Sequence, residues 1–138
     1  MDCLGCRIAN GIEAGVQIVY ENEKIACILD IAPFNEGHLL ILPKKHVLDV
    51  EELDDETASA VMKASQKLST ALKSLFRPDG ITICQNGGKF NDLHHCHMHL
   101  IPRYERDGFT WSEPLHAHGA EKRLRETKDK LTGWLAHS

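Results

Sequence analysis

Short apolar segments separated by turn-forming residues occupy much of the first half of the chain and predict β-strands. The segments at residues 17–21 and 24–29 flank the turn Glu21-Asn22-Glu23, a pattern typical of a β-hairpin. Further strands are predicted at 38–42, where Pro43 closes the apolar run, and at 81–84, where β-branched residues are frequent.

A longer segment has the spacing of an amphipathic helix. Asp54 or Asp55 can cap it, and it continues to about Phe76. Its apolar residues recur at intervals of three and four and form one stripe, made of Ala58, Val61, Leu68, Leu72 and Leu75. A second, charged helix is expected from about residue 120 to 135, with a buried side made of Leu124, Leu131 and Leu135.

These elements predict a single α+β domain over residues 1–138. It has an antiparallel sheet of about five strands, one long central helix and a C-terminal helix. The core is expected over about 1–105, and a C-terminal extension with its helix over about 106–138.

Composition and charge narrow the class of protein. Apolar residues make up 42% of the 138 residues, and 20 acidic against 16 basic side chains give a formal net charge of −4. That balance disfavours a nucleic-acid-binding protein, which normally carries a basic stripe. No signal peptide and no apolar run of the ~20 residues needed to cross a membrane is recognisable. Five cysteines, an odd count, predict reduced thiols and a cytoplasmic location.

Three histidines, His95, His97 and His99, alternate with apolar residues near residue 100. In a β-strand, side chains two apart share one face, so this spacing predicts a strand with three imidazoles on one side. Such a face is tolerated when the rings stay neutral, bind a metal or receive an anion. A surface strand that happens to be rich in histidine is the alternative. We assign no role to His94, His116 or His118.

The His-x-His-x-His run, followed by Leu100-Ile101-Pro102-Arg103-Tyr104, resembles the signature of the histidine triad family. The upstream block at residues 29–46, which contains Asp30, His38, Pro43 and His46, is similar to a second block of that family. The resemblance covers about residues 1–105. It implies an α+β meander that forms a homodimer, and an enzyme acting on the α-phosphate of a purine nucleotide conjugate.

The resemblance assigns nucleophilic attack to His97, because the family uses its central histidine. A neutral imidazole attacks with one nitrogen while an acceptor holds the proton on the other, and the carbonyl of His95 is the implied acceptor. His99 and His38 would bind phosphate oxygens, and one of them would help to protonate the leaving group. The implied substrate is a nucleoside phosphoramidate or a (di)nucleoside polyphosphate, and the product is a nucleoside monophosphate. A zinc-stabilised nucleotide-binding or sensor module with negligible turnover is the alternative.

Five further residues are implied to contact substrate. Asp30 would accept hydrogen bonds from the ribose hydroxyls, and Ile31 would pack on the base or sugar; a turn residue is the alternative for Asp30. Asn86 would contact phosphate, or simply form a turn. Asn91 stands where the family commonly has glutamine. Asp92 stands where a hydroxyl is common, which favours a cationic or amine leaving group.

Cys3 and Cys6 have the spacing of a metal-chelating pair, which alone is a weak signal. Two cysteines that only pack against their neighbours are the alternative. The resemblance implies that His46 and His95 complete a tetrahedral site for a structural zinc ion. The metal would fix the N-terminal segment to the sheet and hold the His95 backbone that orients His97.

Overall fold

The computed structural model describes residues 3–113 and 118–138. The chain divides into two compact units, Met1–Gly108 and Phe109–Ser138.

A five-stranded antiparallel sheet forms the centre of the first unit, as predicted. Its strands follow the spatial order β1-β2-β3-β5-β4. Their bounds are Ile18–Glu21 for β1, Ile25–Leu29 for β2, Leu39–Pro43 for β3, Gly80–Gln85 for β4 and Met98–Arg103 for β5. β3 and β5 are neighbours, and Leu40 is paired with His99. Because His38 directly precedes β3, this register brings His38 and His99 together.

Two helices cover opposite faces of this sheet. The long helix α2, Asp55–Phe76, buries Val61, Leu68 and Leu72 against sheet residues Ile25, Cys27, Leu39, Ile41 and Leu100. Asp54 caps it, since its carboxylate accepts the backbone N–H of Thr57 at 2.8 Å. The predicted stripe is wrong at its two ends, because Ala58 and Leu75 are exposed, while Thr57 is buried and Phe76 packs against the core in their place.

The short helix α1, Leu4–Ala9, was not predicted. Its Ala9 packs against Ala26, Ile28 and Leu42 on the other face of the sheet. The thiol of Cys3 caps it by accepting the backbone N–H of Cys6 at 3.3 Å. Six residues are too few to form a stable helix alone, so tertiary contacts must hold α1 in place. Short 3₁₀ turns at Val50–Glu52 and Gly88–Phe90 complete the unit.

The predicted histidine strand is wrong in its first part. β5 begins at Met98, and residues 94–97 lie outside the strand. His94 has a left-handed backbone with φ of 54°, which interrupts the alternation of side chains just before His95. The rings of His97 and His99 still lie together, with centroids 5.0 Å apart, although only His99 belongs to the regular strand.

The second unit contains a 3₁₀ turn, Ala120–Lys122, and helix α3, Leu124–Leu135. The helix was predicted, but its buried side was not correct: Leu124, Leu131 and Leu135 are all exposed. A unit of this size offers too little surface to bury a helix face. The carbonyl of His118 accepts a hydrogen bond from Arg123 Nη1 at 2.8 Å, and His116 lies outside the described residues. Among the described helices, none has the length and apolar character of a membrane span.

Candidate metal and histidine site

Cys3, Cys6, His46 and His95 form a compact cluster whose four ligand atoms all lie within 4.8 Å of one another. His95 Nδ1 is 3.6 Å from both the Cys3 and the Cys6 sulfur, and His46 Nδ1 is 3.3 Å from the Cys6 sulfur. In a tetrahedral zinc site, standard bond lengths place sulfur and nitrogen ligands about 3.6 Å apart. The spacing of these four side chains therefore matches a tetrahedral Cys2His2 metal site.

Local structure explains why the four side chains converge. The two thiols come from the cap and first turn of α1, His46 follows the end of β3, and His95 precedes β5. His95 Nε2–H donates to the carbonyl of Pro43 at 2.7 Å. A neutral imidazole carries one proton, so the Nδ1 lone pair of His95 faces the thiols. This is the tautomer that a metal ligand requires.

Gly5 makes the approach of α1 to His95 possible. A Cβ atom at this position would overlap Cβ and Cγ of His95. Burial is the main reason that the pKa of the Cys6 thiol is raised, and the neighbouring Cys3 thiol raises it further. A bound cation would reverse this effect by stabilising the thiolates.

His97 is held in the tautomer that a nucleophile needs. Its ring is 2% exposed, and its Nδ1–H donates to the carbonyl of His95 at 2.8 Å. In the neutral ring, Nε2 is therefore unprotonated and its lone pair is available for nucleophilic attack. The carboxylate of Asp92 lies 3.6 Å from this Nε2.

His38 and His99 form a directional hydrogen-bonded pair. The backbone N–H of Phe34 donates to His38 Nδ1 at 3.2 Å, so the proton of neutral His38 is on Nε2. That Nε2–H donates to His99 Nδ1 at 2.9 Å, which leaves the proton of His99 on its own Nε2. His99 can therefore donate one hydrogen bond away from His38.

Burial keeps both rings neutral. It lowers the pKa of His38, although the nearby carboxylate of Asp30 acts in the opposite direction. It also lowers the pKa of His99 to about 4, together with the neighbouring His97 and His38. The ring centroids of His97 and His99 are 5.0 Å apart, so the free Nε2 of His97 and the Nε2–H of His99 belong to one site.

Asp30, His38 and His99 also place possible metal-binding atoms within 4.8 Å of one another. The hydrogen bonds argue against a cation here, because His38 Nε2 carries the proton that it shares with His99. Asp30 Oδ2 lies 3.5 Å from the same Nε2, and Asp30 Oδ1 accepts the backbone N–H of Ala32 at 2.8 Å. The relay is therefore a hydrogen-bonded pair of imidazoles, His38 and His99, with the carboxylate of Asp30 beside it.

An open cavity of about 410 Å³ lies against the histidines. Of the residues predicted to contact substrate, Asp30, Ile31 and Asp92 line it together with His97 and His99. Its other walls are apolar for the most part, with Leu29, Leu40 and Leu93 among them. Ile31 is 87% exposed, so its side chain is free to cover a flat ring.

Asn86 and Asn91 are not among the residues that line this cavity. The amide of Asn91 is buried; its Nδ2 donates to the Leu48 carbonyl at 3.0 Å, and its Oδ1 accepts the Leu93 N–H at 3.1 Å. Asn86 lies in the loop after β4, where its carbonyl accepts Gln85 Nε2 at 3.1 Å. In this conformation, Asn91 shapes the loop that carries Asp92.

Sequence reasoning missed two residues that control the geometry of the site. Phe34 fixes the tautomer of His38 through its backbone N–H, and its ring stacks on the imidazole at a centroid distance of 5.4 Å. Gly5 gives His95 the space that it occupies. Glycine between paired cysteines was a visible signal for the second, whereas a backbone N–H leaves no trace in the sequence.

Comparison with known proteins agrees with this geometry. The HIT domain model matches residues 12–106. The crystal structure of a HIT family protein from Bacillus anthracis superposes with a TM-score of 0.84 and 33% identity, covering 99% of this chain and 96% of that one. That similarity confirms the predicted α+β fold.

Two relatives have names that bear on the site. One is the crystal structure of a Zn-bound histidine triad family protein from Mycobacterium smegmatis, with a TM-score of 0.72 and 31% identity over 96% of this chain and 97% of that chain. The other is adenylylsulfatase HINT3 from Arabidopsis thaliana, 34% identical over 119 residues, which are 85% of this chain and 60% of the relative. The family model spans well over half of the sequence and includes every histidine of the relay, so the chain belongs to the histidine triad family.

Proposed function

We propose that this protein is a nucleotide hydrolase or transferase that forms a covalent intermediate on His97. The main support is the hydrogen bond from His97 Nδ1–H to the His95 carbonyl at 2.8 Å. It leaves the Nε2 lone pair free to attack. An enzyme function is also supported by the Arabidopsis relative, whose name is that of an adenylylsulfatase.

The first chemical step is attack of His97 Nε2 on the α-phosphorus. A P–Nε2 bond forms while the bond from phosphorus to the leaving group breaks. The leaving group takes the electron pair, and an amine leaving group also takes a proton from solvent. The Nε2–H of His99 donates to a phosphate oxygen, where negative charge increases in the transition state. His38 holds His99 in the donating tautomer through the 2.9 Å hydrogen bond.

Water completes the reaction. It attacks the same phosphorus and gives a proton to solvent, the P–Nε2 bond breaks with its electron pair returning to His97, and a nucleoside monophosphate is released. With a second nucleophile in place of water, the same intermediate would transfer the nucleotide. The substrate class is therefore a nucleoside phosphoramidate or a (di)nucleoside polyphosphate.

Nucleoside binding is assigned to the side of the cavity formed by Asp30 and Ile31. Each carboxylate oxygen of Asp30 has a lone pair left after its contacts with Ala32 and His38, so it can accept ribose hydroxyls. The exposed side chain of Ile31 would pack on a purine base. Asn86 and Asn91 remain candidates for phosphate contact after a change in the loop that carries them.

Zinc is the proposed occupant of the Cys3, Cys6, His46 and His95 cluster. Two thiolates and two imidazoles with tetrahedral spacing are a donor set that zinc prefers, and the Mycobacterium relative is described as Zn-bound. Four protein ligands would leave no open position on the ion for substrate or water, so its contribution would be structural. The metal would hold the backbone of His95 in place. It would thereby also hold the His95 carbonyl, which accepts the hydrogen bond from His97.

A homodimer is proposed as the functional assembly. β1 and β4 are the edge strands of the sheet, and an exposed edge normally requires a partner or a cover. Light scattering at micromolar concentration should give twice the mass of one chain. A monomer at that concentration would contradict this part of the proposal.

The proposed activity is tested with a panel of substrates. Amine and aminoacyl phosphoramidates of AMP and GMP, together with diadenosine polyphosphates, are ranked by kcat/KM. The reaction is then quenched without acid, because acid would hydrolyse a P–N bond. The protein is analysed for a nucleotidyl adduct by mass spectrometry. If the wild-type protein releases nucleoside monophosphate no faster than His97→Ala does, the enzyme function is contradicted. The alternative, a binding or sensor module, would then be favoured.

A further inference from the structure

Two cavities of the first unit meet at Asp92. The cavity of about 410 Å³ contains His97 and His99. A second cavity, of about 400 Å³, is lined by residues near the metal cluster, including Cys3, His46, Leu48 and His94. Three residues line both cavities: Leu4, Asp92 and Leu93. The second cavity therefore adjoins the cavity that contains His97.

The carboxylate of Asp92 is an unusual neighbour for a phosphate site. It lies 3.6 Å from His97 Nε2 and is 90% exposed. Phosphate oxygens are negatively charged, so an anion at this distance opposes the binding of an anionic substrate. Its presence is electrostatically favourable only when the substrate also brings a positive charge close to it.

The other carboxylates of the first cavity already have partners. Glu13 accepts a hydrogen bond from Arg7 Nε at 2.9 Å, and Asp30 is held by the Ala32 N–H and lies beside His38. No lysine or arginine is among the described residues that line either cavity. Within the described residues, the contact with His97 is the one polar contact of the Asp92 side chain. Asp92 is therefore the carboxylate with the greatest capacity to accept a donor from a ligand.

We infer that Asp92 selects substrates whose leaving group is a positively charged amine seated in the second cavity. This inference rests on the function proposed above and specifies its leaving group. The ammonium or guanidinium would pair with the carboxylate as the bond from phosphorus breaks. Leu4, Leu48 and Leu93 would pack against the methylene part of the same group, which departs with its electron pair and a proton.

Three adenosine 5′-phosphoramidates of similar length test the inference. Their leaving amines are ethylenediamine, which carries a cation, ethanolamine, which is neutral, and β-alanine, which carries an anion. At low ionic strength, kcat/KM should be roughly tenfold higher for the cationic compound than for the anionic one, as expected for a solvent-exposed charge pair. High salt should reduce this ratio because it screens exposed charges.

Asp92→Asn keeps the shape of the side chain and removes its charge, so the ratio should fall close to one. Asp92→Glu should retain a preference for the cation. Glu23→Gln, in the exposed turn between β1 and β2, removes one negative charge elsewhere and should leave the ratio unchanged.

Two results would overturn the inference alone: equal cleavage of all three compounds by the wild-type protein, or an equal loss of activity on all three in Asp92→Asn. The second would make Asp92 a proton-transfer group. If none of the three compounds, and no member of the wider panel, gives an adduct on His97, the proposed function fails as well.

Discussion

His95 and His97 are linked by a single hydrogen bond of 2.8 Å between the main-chain carbonyl of His95 and Nδ1–H of His97. The ring of His95 belongs to the cysteine–histidine cluster, and its Nε2–H donates to Pro43. One residue therefore serves two sites, with its side chain in the metal cluster and its backbone orienting the neighbouring imidazole. A disturbance of the cluster should be transmitted to His97 through this residue.

Replacement of His97 by alanine should abolish turnover. The substitution removes the atom that forms the covalent bond, so kcat should fall by several orders of magnitude. Nucleotide binding, measured by calorimetry, should persist because the proposed nucleoside contacts with Asp30 and Ile31 are retained. The ring is 2% exposed, so a moderate loss of stability is expected from the cavity that remains. His97→Asn, which fills more of that cavity, should be equally inactive but more stable; full activity in either variant would contradict the mechanism.

Replacement of His99 by alanine should leave measurable activity. This residue donates one hydrogen bond to the phosphate in the proposed mechanism, and loss of such a donor costs on the order of 10²–10³ in kcat. The adduct on His97 should still form, only more slowly, in single-turnover measurements. Complete loss of the adduct would show that His99 has a larger role than donation.

Replacement of Gly5 by alanine should release the metal. The added Cβ would overlap His95, so α1 and the His95 ring cannot both keep their positions. Elemental analysis should show well under one zinc per chain, the melting temperature should fall, and activity should decrease through the His95 carbonyl. Gly133→Ala is the matched control, because no atom of the described residues outside its own helical backbone and chain neighbours lies within 4 Å of its added Cβ. A full zinc content in Gly5→Ala would show that the helix adapts.

The main elements of the fold could be predicted because their signals are local. Apolar segments on both sides of the turn at Asn22 identified the hairpin, and the Asp54 cap with its stripe of apolar residues identified α2. Helix α1 could not be predicted, because six residues become helical only through their contacts with the sheet and His95. The interruption before β5 was equally hidden, since a left-handed backbone at a non-glycine residue such as His94 depends on tertiary structure.

The site was predicted in its chemistry more completely than in its geometry. His38 was expected to bind phosphate oxygens, but its Nδ1 accepts the Phe34 N–H and its Nε2–H donates to His99, so it can act on phosphate only through His99. The side chain of Asn91 was expected to face a ligand, yet its amide is turned inward to the Leu48 carbonyl. An amide in a loop can satisfy its hydrogen bonds in either direction, and the sequence alone does not determine which one.

Acid should destabilise the protein in a manner that depends on His99. Its pKa is about 4 in the folded protein, against roughly 6.5 for an unperturbed histidine. Between these values the unfolded chain binds more protons than the folded one, so stability falls as pH decreases from about 6.5 to about 4 and is constant above this range. The groups that face His99 are His97, His38, Asp30 and Asp92.

His99→Gln isolates this contribution, because it removes the titrating group and keeps an acceptor for His38. The difference in melting temperature between wild type and variant should therefore change between pH 6.5 and 4 and stay constant at higher pH. A difference that does not vary with pH would show that His99 titrates normally in the folded state. The comparison between variants cancels any loss of metal at low pH.

Replacement of Asn35 by alanine should disturb the ring of His38, although the hydrogen bonds of the Asn35 side chain go to other residues. Asn35 Nδ2 donates to the Pro102 carbonyl at 2.8 Å and to Asp107 Oδ2 at 3.0 Å, which fastens the loop that follows β2 to the end of β5. The backbone N–H of Phe34, the residue before Asn35, sets the tautomer of His38. Because a looser loop would weaken this hydrogen bond, the second tautomer should appear in ¹⁵N spectra of the imidazole. Loss of two hydrogen bonds should also cost about 1–3 kcal/mol of stability. Asn22→Ala is the matched control. It removes the two backbone hydrogen bonds that the Asn22 side chain accepts in the turn between β1 and β2. It should lower stability with no change in the His38 spectrum, and an unchanged spectrum in Asn35→Ala would contradict the positioning role.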